Sequence, residues 1–430
     1  MILRNLSWLT VSQMVRLVTG LFVGAWLTRA LGPEKNGLLG TALVISSLMG
    51  FTAELGLRQV LIKELSVRSE DAGLVFGTAA RIMFFWGMVC FFIASAVAWW
   101  WGGVEMLIVG SILYSSLPLN AYLAVLSRWD AAQQAQRTAR LGILANVLAA
   151  IARVICILAG ADLRWAALTI VLEVVVSAAA AWRWSVKNGW ASDLLAWDAQ
   201  VARSLLRESL PLFLAHSGTL LLLRADQLMI YQLRGAAEAG VYAAATRLSE
   251  IVYAAGPLMI MTFMPVLTRT FHTDPARYHR QCAWLFGALS LVGYASILFW
   301  WLAGGVVVRI LYGEAFEQAA LVLLVHGIAA VPYLHGELRS AVLVIEKKTV
   351  WSIRCALAGL LINIGLNLWL VPVHGAVGAA WATAIAYTLV WLVASLILPA
   401  LRPVGHQQFA GLTSPFWLAK DLRQWRVLMQ

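Results

Sequence analysis

The chain opens with two apolar stretches joined by a short turn: residues 6–30 read LSWLTVSQMVRLVTGLFVGAWLTRA, residues 31–37 read LGPEKNG, and residues 38–61 read LLGTALVISSLMGFTAELGLRQVL. About 20 apolar residues in a helix are enough to cross a hydrocarbon layer of about 30 Å. Glycine and proline mark the turn between the stretches. The pattern predicts a hairpin of two membrane-spanning helices. The first stretch is too long for a signal-peptide core and contains Arg16, so we expect it to remain as a span.

The same pattern continues along all 430 residues, of which 61% are hydrophobic and 12% are charged. Soluble globular proteins carry about 25% charged residues. We therefore expect an all-α integral membrane protein of about twelve transmembrane helices, with no sizeable soluble domain. The expected spans are residues 6–30, 38–61, 76–101, 104–126, 141–160, 165–184, 209–232, 240–267, 281–303, 317–345, 350–371 and 376–399.

The domain organisation follows from the longest internal connection and a weak internal repeat. Residues 29–42 and 232–245 both contain an apolar span, a short glycine turn and a helix that opens with small residues. Transporters are often built from two such halves. We expect two six-helix lobes around a central cavity. The predicted segments are an N-lobe (1–184), a cytoplasmic linker (185–208), a C-lobe (209–399) and a cytoplasmic tail (400–430).

The distribution of positive charge predicts the orientation. If the N-terminus is cytoplasmic, twenty lysines and arginines fall on the cytoplasmic side and five on the other side. Such an excess is typical of cytoplasmic loops. It places both termini in the cytoplasm and explains the net charge of +11 without a nucleic-acid partner. The four cysteines lie in or beside apolar stretches without a CxxC pattern, so we expect neither a disulfide framework nor a metal site.

After the charges near the span ends are counted with the loops, seven arginines and five acids remain inside the predicted spans. Facing lipid, each would cost several kcal/mol, so we expect them to face a bundle interior or a water-filled cavity. The candidate substrate-binding residues are Arg16, Arg58, Arg153, Arg224, Arg247, Asn146, Asn363 and Asn367. The candidates for binding a coupling ion, H⁺ or Na⁺, are Glu54, Glu173, Asp226 and Glu250. No cofactor or catalytic residue is expected.

Arginine in a cavity favours an anionic cargo, because the guanidinium group matches phosphate oxygens bidentately. A structural interpretation competes with this one at several positions. Glu54 and Arg58 are spaced to neutralise each other along one helix face, and so are Arg247 and Glu250. Two further arginines could extend to the cytoplasmic interface: Arg81 and Arg339.

Several segments resemble the bacterial polysaccharide-flippase family of the multidrug/oligosaccharidyl-lipid/polysaccharide exporter superfamily. Their order and spacing carry the likeness, which covers nearly the whole chain. The segments are Asn5-Leu-Ser-Trp8, Leu31-Gly-Pro-Glu-Lys-Asn-Gly37, Glu54-Leu-Gly-Leu57, Ile62-Lys-Glu-Leu-Ser66, Asp226-Gln-Leu, Ala239-Gly-Val-Tyr242, Leu311-Tyr-Gly-Glu314, Asn363 with Asn367, and Pro372-Val-His-Gly375.

The resemblance implies alternating access and a cargo of the undecaprenyl-pyrophosphate oligosaccharide type. This O-antigen or exopolysaccharide precursor would move from the inner to the outer leaflet of a bacterial inner membrane, coupled to an ion gradient. The implied partners are the lipid-linked oligosaccharide, membrane lipids and polysaccharide polymerase machinery. Three alternatives stay open: a cation-coupled drug antiporter of the same superfamily, a membrane glycan polymerase or ligase, and a scaffolding subunit. No outward loop is long enough to bear the catalytic residues of a polymerase.

Overall fold

Long helices follow one another along the chain and are separated by short turns. The computed structural model describes residues 2–67, 72–160 and 162–413. Its α-helices are α1 (Ile2–Glu54), α2 (Leu57–Val67), α3 (Ala72–Tyr114), α4 (Ser116–Leu119), α5 (Leu123–Ala131), α6 (Ala135–Leu158), α7 (Leu163–Lys187), α8 (Ala199–Arg234), α9 (Ala236–Tyr253), α10 (Ala255–Thr273), α11 (Pro275–Tyr312), α12 (Ala319–Ile345), α13 (Thr349–Tyr387), α14 (Ala394–Ile397) and α15 (Arg402–Thr413).

Eight helical stretches of the described residues are long and apolar enough to cross a membrane. Three of them are about twice the length that one crossing needs: Val11–Ser66, Ala72–Ala131 and Thr349–Ile397. Each of the three contains a glycine with positive φ that interrupts the helical backbone. The expectation of an all-helical, multi-pass membrane protein is confirmed.

Glycines with positive φ stand at the turns that the sequence places on the outer side. Gly32 has φ 73° and ψ 173°, and Gly235 has φ 91° and ψ −179°. These two glycines occupy equivalent positions of the internal repeat, and they share one backbone conformation. An L-residue is strained in that region, whereas glycine is not. The repeat is therefore visible in the backbone as well as in the residue pattern.

The chain divides into two compact units, Met1–Leu220 and Leu221–Gln430. The boundary falls within α8. In the first unit, a hydrophobic core gathers residues of α2, α3, α5 and α7, among them Leu61, Phe76, Met83 and Trp129. The predicted linker packs against this core, because Leu194 and Val201 both contact it.

Polar contacts hold the linker in place. Arg128 donates to an Asp193 carboxylate oxygen at 2.8 Å, and its guanidinium lies 3.9 Å from the ring centroid of Trp190. Asp198 caps the start of α8, where its carboxylate accepts from two backbone N–H groups at 2.8 Å. Capping groups of this kind satisfy amides that lack a partner in the first helical turn. Helix α8 consequently begins ten residues before the predicted span, and Arg81 donates to the Leu194 carbonyl.

In the second unit α12 is the central helix, and it packs against α9, α10, α11 and α13. Arg339 on this helix is fully buried, so the expectation that it extends to the interface is wrong. The cause is a π-helical segment, Thr388–Val393, whose wider turn frees backbone carbonyls. Arg339 donates to one of them, the Val390 carbonyl, at 2.8 Å, and to Ser395 Oγ at 3.1 Å.

The outer faces of the helices carry large exposed apolar side chains. Trp100 is 84% exposed, and Leu361 and Trp369 are each 71% exposed. A soluble protein would bury most of this surface, whereas lipid chains solvate it at no cost. The four cysteines are free and buried, as expected of small apolar fillers. The predicted tail begins with helix α15, and residues 414–430 lie outside the described part of the chain.

Candidate functional site

The second unit buries a carboxylate among neutral polar groups. Asp226, on α8, is 3% exposed. One of its carboxylate oxygens accepts from Asn367 Nδ2 at 2.8 Å. The other accepts from the Tyr242 hydroxyl at 2.8 Å and from the Thr383 hydroxyl. Three different helices, α8, α9 and α13, therefore supply this one cluster.

The asparagines that the sequence pairs on one helix face extend the cluster. Asn363 and Asn367 are one turn apart on α13 and are both fully buried. Asn367 Nδ2 also donates to Asn363 Oδ1 at 3.0 Å, and Asn363 Nδ2 donates to Thr383 Oγ1 at 3.2 Å. Buried amides need such partners, because each unmade hydrogen bond costs about 1–3 kcal/mol. We refer to Asp226, Tyr242, Asn363, Asn367 and Thr383 as the Asp226 cluster.

Beside the Asp226 cluster lies a cavity of about 250 Å³. Its walls are aromatic and polar, which is typical of small-molecule sites. Among the described residues that line it are Arg224, Asp226, Gln227, Tyr242, Ser249, Glu250, Tyr253, His326, Tyr333, Thr383 and Tyr387. We call it the unit 2 cavity.

Arg224 and Glu250 form an ion pair in the wall of the unit 2 cavity, with 2.7 Å between Nη1 and Oε1. Their side chains are 33% and 49% exposed. Glu250 thus forms an ion pair with a residue of α8. Arg247 is partly buried on α9 and is not one of the described residues that line this cavity.

The first unit holds a different polar cluster, on α1, α6 and α7. Arg16 Nη2 lies 3.4 Å from Glu173 Oε1, and Asn146 Nδ2 donates to the other Glu173 oxygen at 3.4 Å. Thr19 Oγ1 donates to Asn146 Oδ1 at 2.6 Å. The small-residue stripe on α6 makes this approach possible, because the Gly142 position lies close to Ser12 and Arg16.

Arg58 forms an ion pair with an acid on another helix. Its Nη2 lies 3.2 Å from a carboxylate oxygen of Asp130 on α5, and Thr138 donates to the other oxygen at 2.9 Å. The predicted pairing with Glu54 is therefore not the ion pair that forms. Glu54 is partly buried near the end of α1. Arg153, on α6, is also partly buried.

Sequence analysis did not single out several residues of the second unit. Tyr242 and Gln227 lie inside the segments that resemble the family, but neither carries a charge that would mark it as unusual in a span. Thr383, Tyr333 and Tyr387 carry hydroxyls on otherwise apolar helices, and such residues give no signal in a charge count. His326 also lines the unit 2 cavity, and its Nδ1 lies 2.9 Å from Ser249 Oγ.

The chemistry of the Asp226 cluster favours a small cation. Among the described residues, the hydrogen bonds to the carboxylate come from neutral donors, which do not cancel its charge. An ionised carboxylate in a low-dielectric interior is costly unless a counter-charge compensates it. A proton or a monovalent cation would do so. The described residues contain no group of three histidine, cysteine or acidic side chains that could hold a metal ion by themselves.

A model of the family described as polysaccharide biosynthesis protein matches residues 2–271. The chain belongs to this family. Membership confirms the expected resemblance, and it makes the chain a membrane transport protein rather than an enzyme. No curated protein sequence matches the chain.

Solved structures share the fold over nearly the whole chain. An inward-facing multidrug resistance MATE family transporter of the MOP superfamily is 14% identical, with a TM-score of 0.66, and the match covers 97% of this chain and 99% of that one. The lipid II flippase MurJ, in an inward closed conformation, is 13% identical, with a TM-score of 0.68 and coverage of 96% and 92%. A MOP superfamily transporter from Pyrococcus furiosus is 14% identical, with a TM-score of 0.57 and coverage of 97% and 96%.

Proposed function

We propose that the protein is a flippase for an undecaprenyl-pyrophosphate-linked oligosaccharide. It would move this cargo from the inner to the outer leaflet of a bacterial inner membrane by alternating access. Family membership supports a role in polysaccharide biosynthesis, and the fold shared with a lipid II flippase supports a lipid-linked cargo. The observation that carries the transport mechanism is the buried Asp226 carboxylate, which only neutral donors hold.

The proposal includes twelve membrane crossings. Each of the three long stretches changes direction at its glycine, Gly32, Gly103 or Gly375, and so crosses twice. Helix α8 adds one more crossing, because residues 209–223 contain no charged residue. With the eight candidate stretches this makes twelve, with both termini in the cytoplasm. The arrangement of the lobes around a central cavity stays a prediction.

Ion coupling would act at Asp226. Alternating access needs a group whose occupancy changes the relative stability of two conformations. A carboxylate held by α8, α9 and α13 meets this need, because binding or release of H⁺ or Na⁺ changes the hydrogen bonds that join these helices. Glu250 is partly exposed in the same cavity wall and provides a path for the ion toward Asp226.

The arginines would bind the pyrophosphate. Arg16 pairs with Glu173 and Arg224 pairs with Glu250, but all four side chains are about 25–60% exposed. Exposed ion pairs contribute only about 0–1 kcal/mol. A pyrophosphate can therefore replace the carboxylate partner, since bidentate phosphate binding is one of the stronger interactions of arginine. Arg153 and Arg247 are further candidates, and Arg58 is a weaker one because Thr138 also holds its partner Asp130.

A drug or small-molecule antiporter of the same superfamily is the second candidate. The unit 2 cavity supports the antiporter, since acids and aromatic rings together attract an organic cation. Asp226, Tyr253 and Tyr333 all line that cavity. The cationic excess in the spans argues for the flippase, as does the family.

Deletion of the gene tests the proposal. We expect lipid-linked repeat units to accumulate in the cytoplasmic leaflet, where a membrane-impermeant glycan-modifying reagent cannot reach them in intact spheroplasts. The wild-type gene should restore access to the reagent, and the Asp226→Asn variant should not. Normal surface polymer in the deletion strain, together with a changed resistance to cationic drugs, would overturn the flippase and favour the antiporter.

A further inference from the structure

We propose that the unit 2 cavity binds one uncharged sugar ring of the cargo, beside the ion held at Asp226. The inference rests on the proposed function and adds a subsite to it. Gln227 and His326 carry the argument, with the ring hydroxyls of Tyr333 and Tyr387. All four residues line the cavity.

Two buried polar atoms in the cavity wall have no hydrogen-bond partner among the described residues: Gln227 Nε2 and His326 Nε2. Gln227 is 6% exposed and His326 is 3% exposed. Ser249 occupies the other ring nitrogen of His326. Each buried polar atom without a partner costs about 1–3 kcal/mol, and a polar ligand or an ordered water can supply such a partner.

The aromatic side of the cavity is rigid. Tyr253 and Tyr333 stack with ring centroids 4.4 Å apart, and Tyr387 packs on Trp391 at 4.2 Å. The Tyr253 hydroxyl donates to the His326 carbonyl at 3.1 Å, which ties the stacked pair to α12. Rings held in this way line the cavity and lose little further side-chain freedom when a ligand binds. Such preorganisation lowers the cost of binding.

Charge and size narrow the ligand class. While Arg224 is paired with Glu250 at 2.7 Å, the remaining charge of the cavity is that of Asp226, so a neutral ring is favoured beside Asp226 and the phosphate would bind at the partly exposed Arg224 side chain. Drug-sized ligands occupy about 300–1,000 Å³. A cavity of about 250 Å³ therefore suits a single ring. Sugar hydroxyls both donate and accept, so they can satisfy an amide N–H, either tautomer of an imidazole nitrogen and two phenols together.

Saturation-transfer difference NMR on the full-length protein in lipid nanodiscs tests the subsite. The probes are neutral hexoses, deoxyhexoses and N-acetylhexosamines, with glucose 1-phosphate and tetraphenylphosphonium as charged comparisons. We expect at least one neutral monosaccharide to receive saturation. His326→Phe should lower its apparent affinity about tenfold, the equivalent of one lost hydrogen bond of about 1.4 kcal/mol.

The matched control is His335→Phe. His335 is also buried on α12 and bonded to a serine hydroxyl, Ser290 Oγ at 2.8 Å, but it does not line the cavity. It should leave sugar binding unchanged. Tyr387→Phe removes one hydroxyl and no volume, so it tests the subsite if His326→Phe does not fold; we expect a severalfold weaker affinity.

The subsite is overturned if no neutral monosaccharide receives saturation, if only a charged probe does, or if the two histidine variants lose binding equally. The proposed function fails separately, since that failure requires normal export of lipid-linked units by the deletion strain. Blocked export in that strain, together with no saturation transfer to any sugar, would remove the subsite alone.

Discussion

The polar clusters of the two units differ in how the charge of their central carboxylate is balanced. In the first unit, an arginine and an acid meet as a partly exposed ion pair, Arg16 with Glu173, and asparagine and threonine side chains support it. In the second unit, the central charge is a carboxylate with neutral donors only, Asp226. A cation beside its acid can exchange the acid for a phosphate, whereas a solitary carboxylate calls for a small cation. We propose that the two halves of the repeat serve these two tasks.

The largest difference between the units should appear in stability. Asp226→Ala leaves two hydroxyls, of Tyr242 and Thr383, and one N–H of Asn367 without an acceptor, at about 1–3 kcal/mol each, so we expect a destabilisation of several kcal/mol. Glu173→Ala should cost less than about 1 kcal/mol, because exposed ion pairs contribute little. Thermal unfolding of the purified variants in detergent measures both. Equal losses would show that the two carboxylates have the same structural weight.

Removal of single donors to Asp226 should give intermediate effects. Tyr242→Phe and Thr383→Val each delete one hydrogen bond to a charged group, worth about 1.5–3 kcal/mol. Both should weaken the response of transport to the ion gradient while the protein still folds. Tyr294→Phe is the control, because that hydroxyl donates to the backbone carbonyl of Leu412 in α15, away from the Asp226 cluster. An unchanged gradient response in both cluster variants would mean that the hydrogen bonds from Tyr242 and Thr383 do not affect ion binding at Asp226.

The units should respond alike where the repeat is exact in its backbone. Gly32→Ala and Gly235→Ala both place a side chain at positive φ, with open space around the new Cβ atom. We expect each to lose about 1–2 kcal/mol, from backbone strain alone. Gly20→Ala, in a helix with open space, should be neutral or stabilising. A large difference between the two turn variants would show that the turns are not structurally equivalent.

The smallest effect concerns the first unit. A double-mutant cycle on Arg16→Gln and Glu173→Gln should give a coupling energy of about 0.2–1 kcal/mol in the free energy of unfolding. Loss of Arg16 should nevertheless weaken binding of a lipid pyrophosphate, because that interaction is bidentate. A coupling energy of several kcal/mol would indicate a structural ion pair that cannot open for the cargo.

The sequence predicts where the helices of this protein lie better than it predicts which side chains of different helices meet. Apolar length and glycine turns show where the spans lie, and Asn363 and Asn367 share a face because of their spacing. Side chains that meet across distant helices share no such spacing. Asp130 lies between two predicted spans, yet it forms an ion pair with Arg58. Arg339 is buried where it can donate to a carbonyl of the π-helical segment. No residue pattern predicts that segment.

The residues of the cavity wall show the same limit. Asp226 stands out in a span because a charge there is costly. Thr383 and Tyr387 look like ordinary span residues, and their role depends on how α13 packs against α8 and α9. Acid partners on other helices give no signal in the sequence either, since Arg16 pairs with Glu173 of α7 and Arg224 pairs with Glu250 of α9.

Transport in proteoliposomes tests the central claim most directly, that Asp226 binds the coupling ion. Lipid-linked oligosaccharide is reconstituted with the protein, and flipping is followed by its accessibility to an external glycan-modifying enzyme, with and without an imposed Na⁺ or pH gradient. The wild-type protein should flip faster under one of these gradients, and Asp226→Asn should flip at the same rate with and without it. A full gradient response in Asp226→Asn would contradict the account.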